Sequence, residues 1–170
     1  MGRQKWTGTD IGSLMDSLKG KDGAARQKAR EALVEMGKPA VLPLSRALQE
    51  TKLDQVRWEA AKALGDIGDA GAIAPLVKVL GGSDADVAWL AAEGLKKFKK
   101  AAWPALLREL VKNGEDSVLL RQGAHHVLLN QKEHGFNDLL ATLTKALESI
   151  TVPGLAAASA RDILKRMKEK

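Results

Sequence analysis

Three stretches of this chain repeat one pattern at a fixed interval. ARQKAREALVEMG begins at Ala25, VRWEAAKALGDIG at Val56 and VAWLAAEGLKKFK at Val87, each 31 residues after the last. Fainter copies, LRQGAHHVLLNQ and AAASARDILKRM, begin at Leu120 and Ala156. A second kind of segment alternates with the first: AVLPLSRAL from Ala40, AIAPLVKVL from Ala72, AWPALLREL from Ala102 and LLATLTKAL from Leu139. IGSLMDSL, from Ile11, opens that series. Units in phase over nearly the whole chain predict a stack, in which each unit buries its apolar face only against its neighbours.

Each segment carries helical rather than strand periodicity. Val56, Ala60, Ala63, Leu64 and Ile67 fall on one face of a 3.6-residue helix, and Ile73, Leu76 and Leu80 recur at three and four. No segment alternates with period two, so no sheet is expected. Asp22, Asp54, Asp84 and Asp116 stand just ahead of the second helix type, where a carboxylate can accept from free backbone N–H groups. Gly37 and Gly68 follow a last apolar residue, where a left-handed residue ends a helix at no steric cost. Small alanines at 29, 60, 61, 91, 92 and 160 let neighbouring helices approach closely.

The segment LxPLxxxL, followed by Asp-x-x-Val-Arg-x-x-Ala-Ala-x-Ala-Leu-Gly-x-Ile-Gly, resembles HEAT repeats. The short period is most similar to the HEAT-like subtype also found in phycobilisome lyases. The resemblance implies an all-α solenoid of about five helix pairs, with first helices on the convex side and second helices lining a concave groove. First helices are expected near 10–19, 39–50, 71–81, 101–113 and 136–150, and second helices near 23–36, 54–67, 85–98, 117–131 and 155–168. One repeat domain then spans 10–170, with repeats at 10–37, 38–68, 69–99, 100–133 and 134–170, after a loose arm over 1–9 that contains Trp6. Repeats one and five should cap the stack. The pattern breaks in a few places. Gln131 stands where Ile67 stands two repeats earlier, with Asn130 beside it. Lys99 replaces a terminal glycine, and Pro104 is displaced by one position. The turn Thr151-Val152-Pro153-Gly154 precedes the last helix.

Composition excludes several function classes. The 170 residues contain no cysteine, so disulfides, thiolate metal sites and a cysteine nucleophile are ruled out. No apolar run is long enough to cross a bilayer, and the N-terminus lacks the apolar stretch of a secretory signal. A cytoplasmic location is the default expectation. The net charge of +6, from 27 basic and 21 acidic residues, leans basic with acids interspersed. GxSxG, P-loop and HExxH motifs are absent. His125 and His126 are adjacent, so on a helix they point about 100° apart and are poorly placed to share a metal. Neither metal nor cofactor is expected, and no catalytic residue is assigned.

Binding candidates follow from the repeat phase. Trp58 lies about 200° round its helix from Val56, opposite the buried stripe, and Trp89 occupies the same place one repeat later. Both are expected on the concave side. A groove tryptophan is a common interface anchor, and inter-repeat packing is the plain structural alternative. One turn on lie Glu31, Lys62, Glu93, His126 and Asp162, and the next ridge holds Glu35, Asp66, Lys97, Asn130 and Arg166. The mixed signs suit a protein or peptide partner better than a phosphate backbone. The expected site is therefore Trp58 and Trp89 with Lys62, Glu93 and His126. Trp103 aligns with Val41 and Ile73 and is assigned to the core.

On the outer side Arg46, Lys78, Arg108 and Lys145 should form a convex basic ladder, with solubility as its simplest role. Lys96, Lys97, Lys99 and Lys100 surround Phe98, at a helix end where the dipole favours cations. Arg26, Arg57 and Arg121 occupy the arginine place of the pattern and should tie repeats to preceding aspartates or helix ends; Ala88 departs from it. The alternative function is nucleic-acid binding or base excision. HEAT-like alkylpurine DNA glycosylases use groove tryptophans and a catalytic carboxylate, and Trp89, Glu93 and Lys62 offer comparable groups. The mixed charge of the groove weighs against that reading.

Overall fold

The computed structural model describes residues 8–149 and 153–169. Trp6, with the rest of the segment 1–7, and the turn residues Thr151 and Val152 lie outside the described residues. Among the described residues there are ten α-helices and no strand. The first members of the pairs are α1 (Gly8–Ser17), α3 (Lys38–Glu50), α5 (Ile73–Leu80), α7 (Trp103–Asn113) and α9 (Asn137–Glu148). The second members are α2 (Gly23–Met36), α4 (Asp54–Ile67), α6 (Ala85–Lys97), α8 (Val118–Leu128) and α10 (Pro153–Lys168). The chain is an α-solenoid of helix pairs. The first helix starts at Gly8, two residues inside the expected arm.

Local chemistry sets the helix ends. Asp22 accepts from the Ala24 N–H at 2.9 Å and Asp84 from the Val87 N–H at 3.0 Å. The other two expected aspartate caps are corrected. Asp54 is the first residue inside α4, where its carboxylate still meets the positive dipole end. Ser117, one place after Asp116, caps α8 by accepting from the Leu120 N–H at 3.1 Å. Gly68 ends α4 in the left-handed region, with φ 67°. Lys99 takes the same conformation after α6, with φ 50°. α8 stops at Leu128, short of the expected 131, because Asn130 turns the chain at φ 63°.

The core lies between the two rows of helices. Leu44, Leu76 and Leu106 of the odd row and Leu64 and Leu95 of the even row are fully buried. Helices α2, α4, α6 and α8 pack successively. Their interfaces are made of small side chains: Ala60, Ala61, Ala63 and Gly65 of α4, and Ala91, Ala92 and Gly94 of α6, are all buried. The tightest point is glycine on glycine. A Cβ added at Gly65 would sit 2.6 Å from the Gly94 Cα. Two backbones therefore touch where any side chain would force them apart.

The last pair departs from the alternation. α10 packs chiefly against α7 and α9, so it extends the odd row, while α9 lies against α8. This corrects the placement of α9 on the convex side and α10 on the concave side. The loop after α8 is the physical cause. Trp103, 1% exposed, donates its indole N–H to Gln131 Oε1 at 2.7 Å and meets Phe136 edge to face at 5.8 Å. Lys100 pairs with Glu133 at 2.7 Å. These contacts fix the start of α9 beside the start of α7. The last helix then presents Ala156, Ala157, Ala160 and Ile163, all buried, as a slim face for close packing. Arg166 closes the pair by donating to the Gly135 carbonyl at 2.9 Å and to Asp138 Oδ1 at 2.7 Å. The Arg166 guanidinium beside Asp138 holds that carboxyl below its ordinary value.

Leu64→Ala is expected to cost roughly 2–5 kcal/mol in urea unfolding, because it opens a cavity between rows. Lys78→Ala, exposed on α5, should change stability by less than about 0.5 kcal/mol. Gly65→Ala should destabilise by roughly 1–3 kcal/mol through overpacking, although alanine has the better helix propensity. Gly12→Ala in α1, where a Cβ meets nothing within 4 Å, should be neutral or stabilising in the same assay.

Candidate functional site

Trp58 and Trp89 stand on α4 and α6, 38% and 55% exposed, on helices whose opposite faces bury Val56, Ala60 and Leu64 or Val87, Ala91 and Leu95. Trp89 lies against the His126 ring of α8, with ring centres 4.1 Å apart and planes tilted by 38°. His126 Nε2 is hydrogen-bonded to the Glu93 carboxylate, one turn along α6 from Trp89. An ionised carboxylate only accepts, so Nε2 carries the proton in that bond. Thus Trp89, Glu93 and His126 form one cluster across α6 and α8. Trp58 and the exposed Lys62 share α4 one helix away, and no ring contact joins Trp58 to Trp89 among the described residues. Lys97 bonds Asp66 at 2.5 Å on the next ridge, a second bridge between α4 and α6.

Beside Trp89 is a recess of about 350 Å³ between α6, α8 and the end of α9. Its walls include Val118, Gln122, His125, Leu147 and Glu148. His125 bonds Glu148 Oε1 at 3.2 Å, so the two adjacent histidines hold carboxylates on different helices. Val118, 55% exposed, adds apolar surface. Sequence reasoning missed this recess. Gln122 was within reach, since it holds the position of Trp58 and Trp89 in the fourth repeat. Leu147 and Glu148 were not, because only the transposed α9 brings them here. For the same reason Asp162 and Arg166, on α10, leave the rows of even-helix side chains to which their spacing assigned them.

The outer ladder is shorter than expected. Arg46, Lys78 and Arg108 are exposed on α3, α5 and α7, with Lys78 donating to Gln49 Oε1 at 3.0 Å. Lys145 belongs to α9 and so stands apart from that row. The pattern arginines are structural ties. Arg26 donates to the Gly20 and Lys21 carbonyls at 2.9 and 3.0 Å, and Arg121, buried, to those of Gly114 and Glu115 at 2.6 and 3.0 Å. Each closes the end of the preceding odd helix. Arg57 instead reaches forward to Asp84, at 3.1 Å. Among the described residues no group of three or more His, Asp or Glu side chains is placed to hold a metal ion, and no helix is long and apolar enough to cross a membrane.

The family model for HEAT repeats matches residues 11–96, just over half of the chain. The chain belongs to the HEAT-repeat family. No curated protein matches it.

Burial separates the tryptophans by role. Trp103→Ala should cost roughly 3–5 kcal/mol in urea unfolding, whereas Trp58→Ala and Trp89→Ala should each cost about 1 kcal/mol or less. A loss at Trp89 comparable with that at Trp103 would make it a packing residue.

Proposed function

We propose that this protein is a non-enzymatic scaffold that binds a partner protein or peptide on the face of its even helices. HEAT repeats are commonly protein-interaction scaffolds, and the family assignment supports that class of function. Trp58 and Trp89 anchor the partner, and Lys62, Glu93 and His126 surround them. The observation that carries the reading is Trp89: a large indole, 55% exposed, braced on one face by His126 and beside an open recess. The His126 contact restricts its orientation before binding, so less side-chain entropy is lost when a partner covers it. An apolar partner side chain entering between Val118 and Leu147 would lie against the indole edge. Charges of both signs on the rim supply orientation more than affinity.

Nucleic-acid binding or base excision is the competing function. On that reading Trp89 and Glu93 would face a flipped base. Glu93 is engaged by His126 and so is not free as a catalytic carboxylate, and Asp66 offsets the charge of Lys97, which lowers the attraction of this face for phosphates.

Proteins captured from the native host with the full chain as bait, then purified, supply the partner for titration. Trp58→Ala with Trp89→Ala should abolish that binding, each indole contributing about 2 kcal/mol or more, while the protein stays folded with a melting temperature lowered by no more than about 8 °C. Lys62→Ala and Glu93→Gln should weaken it less. A folded double variant that binds normally moves the interface elsewhere. Binding to DNA with a steep inverse salt dependence would favour the competing function.

A further inference from the structure

The places where the repeat pattern breaks converge on one spot. Lys99 stands where glycine ends the second repeat, and Asn130 and Gln131 replace the apolar end of the fourth. Together with Lys96, Lys100 and Lys132 they line a recess of about 350 Å³ at the junction of α6, α7 and the loop after α8. Lys99 and Asn130 are also the two non-glycine residues with positive φ among the described residues. A lysine in that region costs stability that glycine would not. Asparagine tolerates that region, so the strain sits at Lys99, and it marks a position where a side chain is kept for another purpose.

The charge there is unbalanced. Lys100 is held by Glu133 and lies 4.9 Å from the centre of the Phe136 ring. Lys96, Lys99 and Lys132 make no ion pair among the described residues. The α6 dipole favours cations at Lys96 and Lys99, but it explains neither Lys132, on the loop after α8, nor why the left-handed position at Lys99 is not glycine. The floor is firm, because Gln131 bonds both the Trp103 indole and the Val127 carbonyl, each at 2.7 Å. Three lysines without an ion pair among the described residues, from two chain segments, thus line one small recess on a fixed base.

We propose that this recess binds a compact anion carrying two or more phosphoryl groups in a row. A single carboxylate would leave most of the charge unanswered, whereas successive phosphoryl groups bring several charges and acceptors pointing in many directions. Flexible lysines meet such acceptors as point charges without the planar geometry that arginine demands. The site is separate from the Trp89 face and does not depend on it.

Calorimetric titration of the full chain with tripolyphosphate, at physiological ionic strength so that distant charges are screened, tests this. One saturable site is expected. Lys96→Gln with Lys99→Gln and Lys132→Gln should weaken it at least about tenfold, and the equally charge-reduced Lys52→Gln, Lys112→Gln and Lys168→Gln control should stay within about twofold. Lys99→Gly should raise the melting temperature yet weaken binding. Pelleting with vesicles rich in polyphosphorylated lipid, lost in the first triple variant, would place the phosphates on a headgroup; tripolyphosphate binding without pelleting would make the ligand soluble. Absence of saturation, equal losses in the two triple variants, or full affinity in Lys99→Gly would each overturn the proposal.

Discussion

The contact on which the stack depends is the near-bare approach of α4 and α6. Alanines line it, and at Gly65 and Gly94 one backbone rests on the other. Close approach lets each helix bury its narrow stripe on both sides, which a solenoid needs because no unit has a core of its own. It also sets how far apart the outward faces stand. The distance between helix axes determines whether a side chain on one even helix can touch its counterpart on the next. Lys97 against Asp66 relies on it, and Trp89 against His126 relies on the corresponding approach of α6 and α8.

A second constraint acts at the far end. Trp103 is too large and too polar at its N–H to be buried without a partner, and Gln131 supplies one. With Phe136 and the Lys100–Glu133 pair, that bond anchors the loop at the start of α7 and sends α9 along α8. The transposed last pair ends the stack without repeating it. It also walls the recess beside Trp89 on one side, and its entry loop forms part of the lysine-lined recess on another. One loop thus shapes both of the molecule's concavities with a claim to function.

Much of this was readable from residue order. The helix series, the burial of Trp103 and the outward position of Trp58 and Trp89 all follow from a phase that each helix carries within itself. Gln131 looked like a weak apolar end because its partner is 28 residues away and invisible to periodicity. The mutual contact of Gly65 and Gly94 was hidden for a different reason. The two glycines hold different places in their repeats, so aligning the repeats does not pair them, and only the crossing of the helices does.

The amino-acid sequence by itself determined the all-helical repeat, the family, the two faces of each helix and the row from which tryptophans project. Those properties depend on spacing within a helix and on recurrence between repeats, and both are local. The tertiary structure alone decided that α9 and α10 exchange rows, that Lys145, Asp162 and Arg166 leave the faces their spacing assigned, and that Leu147 and Glu148 border Trp89. Those outcomes rest on a few polar and aromatic contacts between residues far apart in the chain. Such contacts compete with the regular stacking of repeats, and where they are stronger than one more repeat interface, the pattern gives way.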